Sequence, residues 1–201
     1  MTGGYTDREG ETNYSTSSSI YIPSKHTFCD LPDIPTDRIL HTTQGLTVCG
    51  GYGDNDTNLY NCDSFDVNTG NWYRSYNFTE RHAGYVSWQT SQGLMLIGGW
   101  HTDKTSIIHP DGTETKFHFE SDKRYRTPCG IPDPETGTII ITGGYSDGAL
   151  SKRVTRYYED GKGVAMPDMN NPRYLHGCSS YRNGGGKKVR TYTILVSKND
   201  Y

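Results

Sequence analysis

Seven histidines, five cysteines and twenty lysine and arginine side chains are the groups in these 201 residues with the means to do chemistry. Their spacing excludes most of it. No His-Glu-x-x-His, P-loop, Gly-x-Ser-x-Gly or Cys-x-x-Cys occurs, so the sequence marks of a zinc hydrolase, a phosphate cradle, an esterase elbow and a structural zinc are missing. What recurs is arginine. Arg38, Arg81, Arg126 and Arg173 stand at nearly even intervals, and His41, His82 and His176 follow three of them closely. Guanidinium groups gathered on one rim would recognise carboxylates, because their planar forks match that geometry. The same groups turned inward would brace the fold by donating to backbone carbonyls. Histidines that keep step with a repeat serve each repeat rather than a metal, so neither metal nor cofactor is expected.

Cysteine and asparagine bear on compartment. Five cysteines is an odd number, so at least one lacks a partner within the chain. Cys49 ends one apolar run and Cys62 begins the next strand, and an antiparallel hairpin would set them within disulfide reach. Cys129 and Cys178 follow Arg126 and Arg173 in adjacent strands. Sequons occur at Asn13-Tyr14-Ser15, Asn55-Asp56-Thr57 and Asn77-Phe78-Thr79. Two of the three fall in predicted loops, which tips the expectation toward an extracellular setting. Residues 1–19 are polar and do not read as a signal peptide.

Composition says what must position these groups. The chain has 24 Gly, 24 Thr and 16 Tyr against 3 Ala and 9 Leu, a strand-forming mixture that excludes a helical bundle. Net charge is −3, with no basic stripe for nucleic acid, and no apolar run approaches a membrane span.

The chain repeats. Gly3-Gly4-Tyr5, Gly50-Gly51-Tyr52, Gly98-Gly99-Trp100 and Gly143-Gly144-Tyr145 are spaced 47, 48 and 45 residues apart. Three of these pairs end β-branched or aliphatic runs, Leu46–Cys49, Leu94–Ile97 and Ile139–Thr142. Between them, Asn61–Asp66, Thr105–Ile108 and Arg153–Tyr158 read as one equivalent strand. Asn71–Tyr73, 117–119 and Val164–Met166 read as another. Thr69-Gly70, Asp111-Gly112, Thr136-Gly137 and Asp160-Gly161 supply the turns. Four short strands per ~45–50 residues is the pattern of a propeller blade.

Residues 46–72, from Leu-Thr-Val-Cys-Gly-Gly-Tyr through Phe65-Asp66 to Asn71-Trp72, resemble the kelch repeat. The resemblance covers nearly the whole chain, although the third repeat lacks the downstream Trp and Thr193–Ser197 is followed by Lys198-Asn199 instead of Gly-Gly. It implies an all-β, kelch-type β-propeller within one domain, 1–201, in repeats of approximately 1–45, 46–93, 94–137 and 138–201. About four blades of four antiparallel strands are expected, as part of a larger six- or seven-bladed ring, with a closed ring of four as the alternative. Trp72, Phe65 and Trp88 are expected to fill the wedges between blades.

The resemblance also implies a use. Kelch propellers in ubiquitin-ligase adaptors bind acidic peptides from one rim, so Arg38, Arg81, Arg126, Arg173, Tyr52, Trp100 and Tyr145 are the expected partner-binding residues. The expectation is a non-catalytic scaffold that binds another protein or peptide, with further blades or self-association completing it. The alternative is a secreted carbohydrate-binding or sugar-oxidising propeller, since a copper oxidase of sugars is built on a kelch-like scaffold.

Overall fold

The computed structural model describes residues 3–8, 11–54, 57–100, 104–117, 126–182 and 189–192. Many of the strands are rich in Thr, Tyr, Val and Ile, and several end at glycine, as at Gly50, Gly98 and Gly143. β1 (Tyr5–Arg8) pairs with β2 (Glu11–Tyr14), and β3 (Ser18–Ile22) with β4 (Thr27–Leu31) across a short 3-10 turn. Next come β5 (Thr42–Gln44) and β6 (Thr47–Cys49), a two-stranded ribbon β7 (Tyr52–Gly53) and β8 (Thr57–Asn58), then β9 (Asn61–Asp66) and β10 (Asn71–Asn77). Strands β5, β6, β9 and β10 make the first four-stranded sheet. The second is β11 (Val86–Gln89), β12 (Leu94–Ile97), β13 (Thr105–Ile108) and β14 (Glu114–Phe117).

In the third, β15 (Cys129–Asp133) and β16 (Thr138–Thr142) precede a second ribbon, β17 (Tyr145–Ser146) with β18 (Ala149–Leu150). β19 (Val154–Tyr158) and β20 (Gly163–Met166) then complete the sheet. A last hairpin pairs β21 (Ser179–Arg182) with β22 (Val189–Tyr192). Each four-stranded sheet is an antiparallel meander, and in the first and third a two-stranded ribbon intervenes in sequence between the second and third strands. The fold is all-β.

The apolar run of β12 shows how the sheets stack. Leu94 and Leu96 join Cys49, Cys62, Phe78, Tyr85 and Ile108 in a core between the first and second sheets. Met95 and Ile97, on the opposite face, join Val86, Trp88, Ile107, Ile139, Ile141 and Tyr157 between the second and third. A strand buried on both faces needs an unbroken apolar run, not an alternating one. Each such side chain contributes about 1.5–3 kcal/mol by leaving water. First strands adjoin as well, β5 beside β11 and β11 beside β15, and Thr42 Oγ1 meets Ser87 Oγ at 2.7 Å across the first of these seams.

Trp88 fills a seam as expected. Trp72 packs against Phe65, ring centres 5.4 Å apart, and its Nε1–H donates to Pro32 O at 2.7 Å. It therefore joins the first sheet to the β3–β4 hairpin. Further in, Ile20, Tyr21, Leu31, Leu46, Val48 and Trp72 border a cavity of about 370 Å³ between that hairpin and β5–β6.

Two disulfides staple the fold. Cys49 and Cys62 lie directly opposite each other on β6 and β9 and are bonded. Cys129 on β15 is bonded to Cys178, just before β21, across 49 residues of sequence; no such pairing was read from the sequence. Cys29 is exposed, with a free thiol. Strand β14 is Glu114–Phe117, centred before the expected 117–119. Residues 118 and 119, and the strand expected over Thr193–Ser197, lie outside the described residues. No helix among the described residues is long and apolar enough to cross a membrane.

Candidate binding site

Three junctions between successive units share one backbone pattern, and it fixes which residues are equivalent. The second glycine of three of the pairs donates its N–H to a carbonyl of the next unit: Gly4 to Arg38 (2.9 Å), Gly51 to His82 (2.8 Å) and Gly144 to Arg173 (2.7 Å). One residue further on, Ile39 exchanges hydrogen bonds with Tyr52 and Arg126 with Tyr145, while Ala83 O accepts from Trp100 N–H. One more residue along, a relay crosses the units. Leu175 N–H donates to Thr127 O, Thr127 N–H to Gly84 O and Gly84 N–H to Leu40 O, at 3.2, 2.6 and 2.8 Å. Leu40, Gly84, Thr127 and Leu175 all have φ between 47° and 60°. Leu and Thr in that region are strained, and such strain persists only where the surroundings over-determine it.

This register corrects the four-arginine alignment. Arg38 and Arg173 are equivalent to each other and to His82. Arg81 falls one position earlier and Arg126 one later, equivalent to Ile39 and Ala83. A slip of one residue sends a side chain to the other face, so the arginines do not form a ring.

Their fates differ accordingly. Arg38 is fully buried. Its Nη1 donates to Gly50 O at 3.0 Å and Asn61 O at 3.1 Å, and Nη2 pairs with Asp63. It is a brace and offers nothing to a partner, which removes it from the expected binding set. Burial lowers its pKa, opposed by the Asp63 charge. Asp63 also accepts from Arg74 Nε at 2.7 Å. Arg81 is exposed and donates through Nε to Tyr60 Oη at 2.8 Å. Arg173 is half-buried, and its positive charge adds to burial in lowering the pKa of His176.

Arg126 is the one that gathers other expected residues. Its guanidinium carbon lies 5.4 Å from the ring centre of Trp100 and 6.0 Å from that of Tyr145. Trp100 follows the glycine pair of the second sheet and Tyr145 that of the third, so the cluster spans their junction. Arginine over an aromatic face is held by the ring quadrupole, and the guanidinium edge keeps its donors. Arg126 has no ion-pair or hydrogen-bond partner for that edge among the described residues. Trp100 Nε1 and Thr127 Oγ1 are buried polar atoms likewise without a partner among the described residues. Gly84 makes room for both: a Cβ on it would lie 2.5 Å from Thr127 Cγ2 and 2.8 Å from Trp100 Cδ1. Tyr52 holds the position equivalent to Trp100 and Tyr145, one unit earlier.

The repeat-position histidines are tied into the fold. His82 is buried, with Nδ1 3.0 Å from Gly98 O and Nε2 3.3 Å from Ser106 Oγ. A carbonyl only accepts, so Nδ1 carries the proton. Burial lowers the His82 pKa. Ser106 Oγ donates to Glu114 Oε1 at 2.6 Å. That bond takes the one hydroxyl proton of the fully buried Ser106, so its 3.3 Å approach to the proton-free Nε2 of His82 is a packing contact. His176 Nε2 meets Thr142 Oγ1 at 2.9 Å.

Most of the structural glycines permit close approach, Gly4 being open on that side. Gly50 has φ +54°, and a Cβ there would sit 2.4 Å from His82 O; Gly143, with φ +64°, would meet Arg173 O at 2.5 Å. Gly3, Gly4, Gly51, Gly98, Gly99 and Gly144 share the positive φ. Of the sequons, Asn77 is exposed at the end of β10. Asn55 lies outside the described residues, and Asn13 is on β2 opposite Thr6, its side chain undescribed.

No family model and no curated protein matches this chain. Among solved structures, that of YjhT is similar at a TM-score of 0.71 over 98% of this chain and 78% of that one, with 15% sequence identity. At such identity the likeness is one of fold, and the chain shares the all-β fold of that structure.

Proposed function

We propose that this chain is a kelch-type propeller, or an arc of one, that serves as a non-catalytic scaffold and takes a protein or peptide partner at the Trp100–Arg126–Tyr145 cluster. The observation that carries this reading is the Arg126 guanidinium, set over two aromatic rings on a junction between sheets, with no ion-pair or hydrogen-bond partner among the described residues. Tyr, Trp and Arg are the side chains that dominate binding energy at protein interfaces. Held at a junction of a stiff β scaffold, they lose little entropy on binding.

The relay through Leu40, Gly84, Thr127 and Leu175 supports the propeller. A line of hydrogen bonds joining equivalent residues of successive units is what sheets arranged about one axis require. Three complete sheets flanked by two half-sheets fit about four blades, in a ring of six or seven or in a closed ring of four.

A glutamate-rich peptide is the probe. Calorimetric titration should show binding that weakens as salt rises, since exposed charges are screened beyond about 8–10 Å. Arg126→Ala should weaken it at least about tenfold, as loss of an interface anchor does. Equal binding by wild type and Arg126→Ala would overturn the assignment.

A further inference from the structure

Asn77 ends β10, the outer edge strand of the first sheet. It pairs with Asn61, whose carbonyl accepts the N–H of Gly50, so it stands level with the glycine pair on the same rim as the ribbons. Asn77 and Thr79 are both exposed, while Phe78 between them is buried, its N–H bonded to Tyr60 O at 2.8 Å. The buried ring anchors the tripeptide and leaves its two reactive side chains to solvent. Thr79 is tied down through its backbone, N–H to Glu114 Oε2 at 2.7 Å. Neither the Asn77 amide nor the Thr79 hydroxyl has a hydrogen-bond partner among the described residues. An exposed edge strand is a liability that proteins blunt, and here it already carries Arg74 and a register shift between Arg74 and Tyr76. Two disulfides, one of them joining separate sheets, mark a fold made for an oxidising compartment.

We propose that Asn77 is an acceptor for an N-linked glycan that covers the outer edge of the first sheet. The donor is a lipid-diphosphate-linked oligosaccharide, delivered by a transferase. Asn77 Nδ2 bonds to the anomeric carbon, the bond from that carbon to the diphosphate breaks, and Nδ2 gives up one proton. The second and third sheets, which carry the Trp100–Arg126–Tyr145 cluster, contain no sequon. The glycan and the binding cluster therefore occupy different sheets, and the proposal stands whether or not that cluster binds a partner.

The test is to express the whole chain behind a cleavable secretion leader in mammalian cells. Secreted and retained chains are both mapped without reduction, after peptide N-glycosidase digestion in heavy-oxygen water. Asn77 should be recovered as heavy-oxygen aspartate in the disulfide-bonded, monomeric fraction. Asn77→Gln and Thr79→Ala should each remove that one glycan; should either variant fold poorly, the wild-type map alone decides. Unmodified Asn77 in the disulfide-bonded fraction, or modification found only in reduced, aggregated chains, overturns the proposal.

Discussion

Arg38 and Arg126 show how one residue type takes different surroundings in one chain, Arg38 buried against Asp63 and Arg126 set over two aromatic rings. Removing the Arg38 guanidinium leaves Asp63 buried with the half-exposed Arg74 as its one remaining described cation and the Asn61 amide at 3.3 Å. Arg38→Met should therefore destabilise the fold by about 3–5 kcal/mol, read as a shift in the urea midpoint, while Arg126→Ala should change it by less than about 1 kcal/mol. Equal losses would contradict the division of labour. His82 gives a pH signature. Its folded-state pKa is depressed by burial, so between that value and the unfolded value of about 6.5 the unfolded chain binds more protons. Stability should then decline as pH falls below about 6.5 and stop declining once the folded form also protonates. His176, lowered by burial and by Arg173, adds in the same direction. Urea midpoints on either side of that range, in wild type and His82→Gln, check this: the variant should have the shallower slope.

At the level of elements, the strand-forming runs and the glycine pairs were legible because their physics is local. A buried β-strand needs an apolar run, and close inter-unit approach needs glycine. Gly50→Ala puts an L side chain in the left-handed region, about 1–2 kcal/mol from conformation alone, and drives its Cβ against His82 O. Gly112→Ala, with φ +84° and nothing within 4 Å, should show the conformational part only, so thermal melts of the two separate strain from collision. The register of the arginines was not legible. Aligning Arg81 and Arg126 by identity misplaces each by one residue, because backbone hydrogen bonds to the glycine pairs set the register and side chains do not reveal them. The Cys129–Cys178 bond was equally hidden, since the packing of β15 beside the segment before β21 depends on tertiary structure. Opening that loop of about 49 residues should cost about 4 kcal/mol in the chain-entropy account, and Cys178→Ser should lower the melting temperature accordingly.

For the whole molecule, the sequence disclosed the all-β class and the period of its units, and it named Arg126, Trp100 and Tyr145 separately without showing that they meet. Their meeting depends on how sheets stack, with Trp100 and Tyr145 following the glycine pairs of adjacent units. In the proposed function, this junction is where a partner binds. Hydrogen–deuterium exchange of the whole chain, with and without the glutamate-rich peptide, tests it most directly. Added protection should fall on the segments around Trp100, Arg126–Thr127 and Tyr145. Protection confined to the opposite turns, Asp111-Gly112 and Thr136-Gly137, or no protection under conditions where the peptide binds, would contradict it.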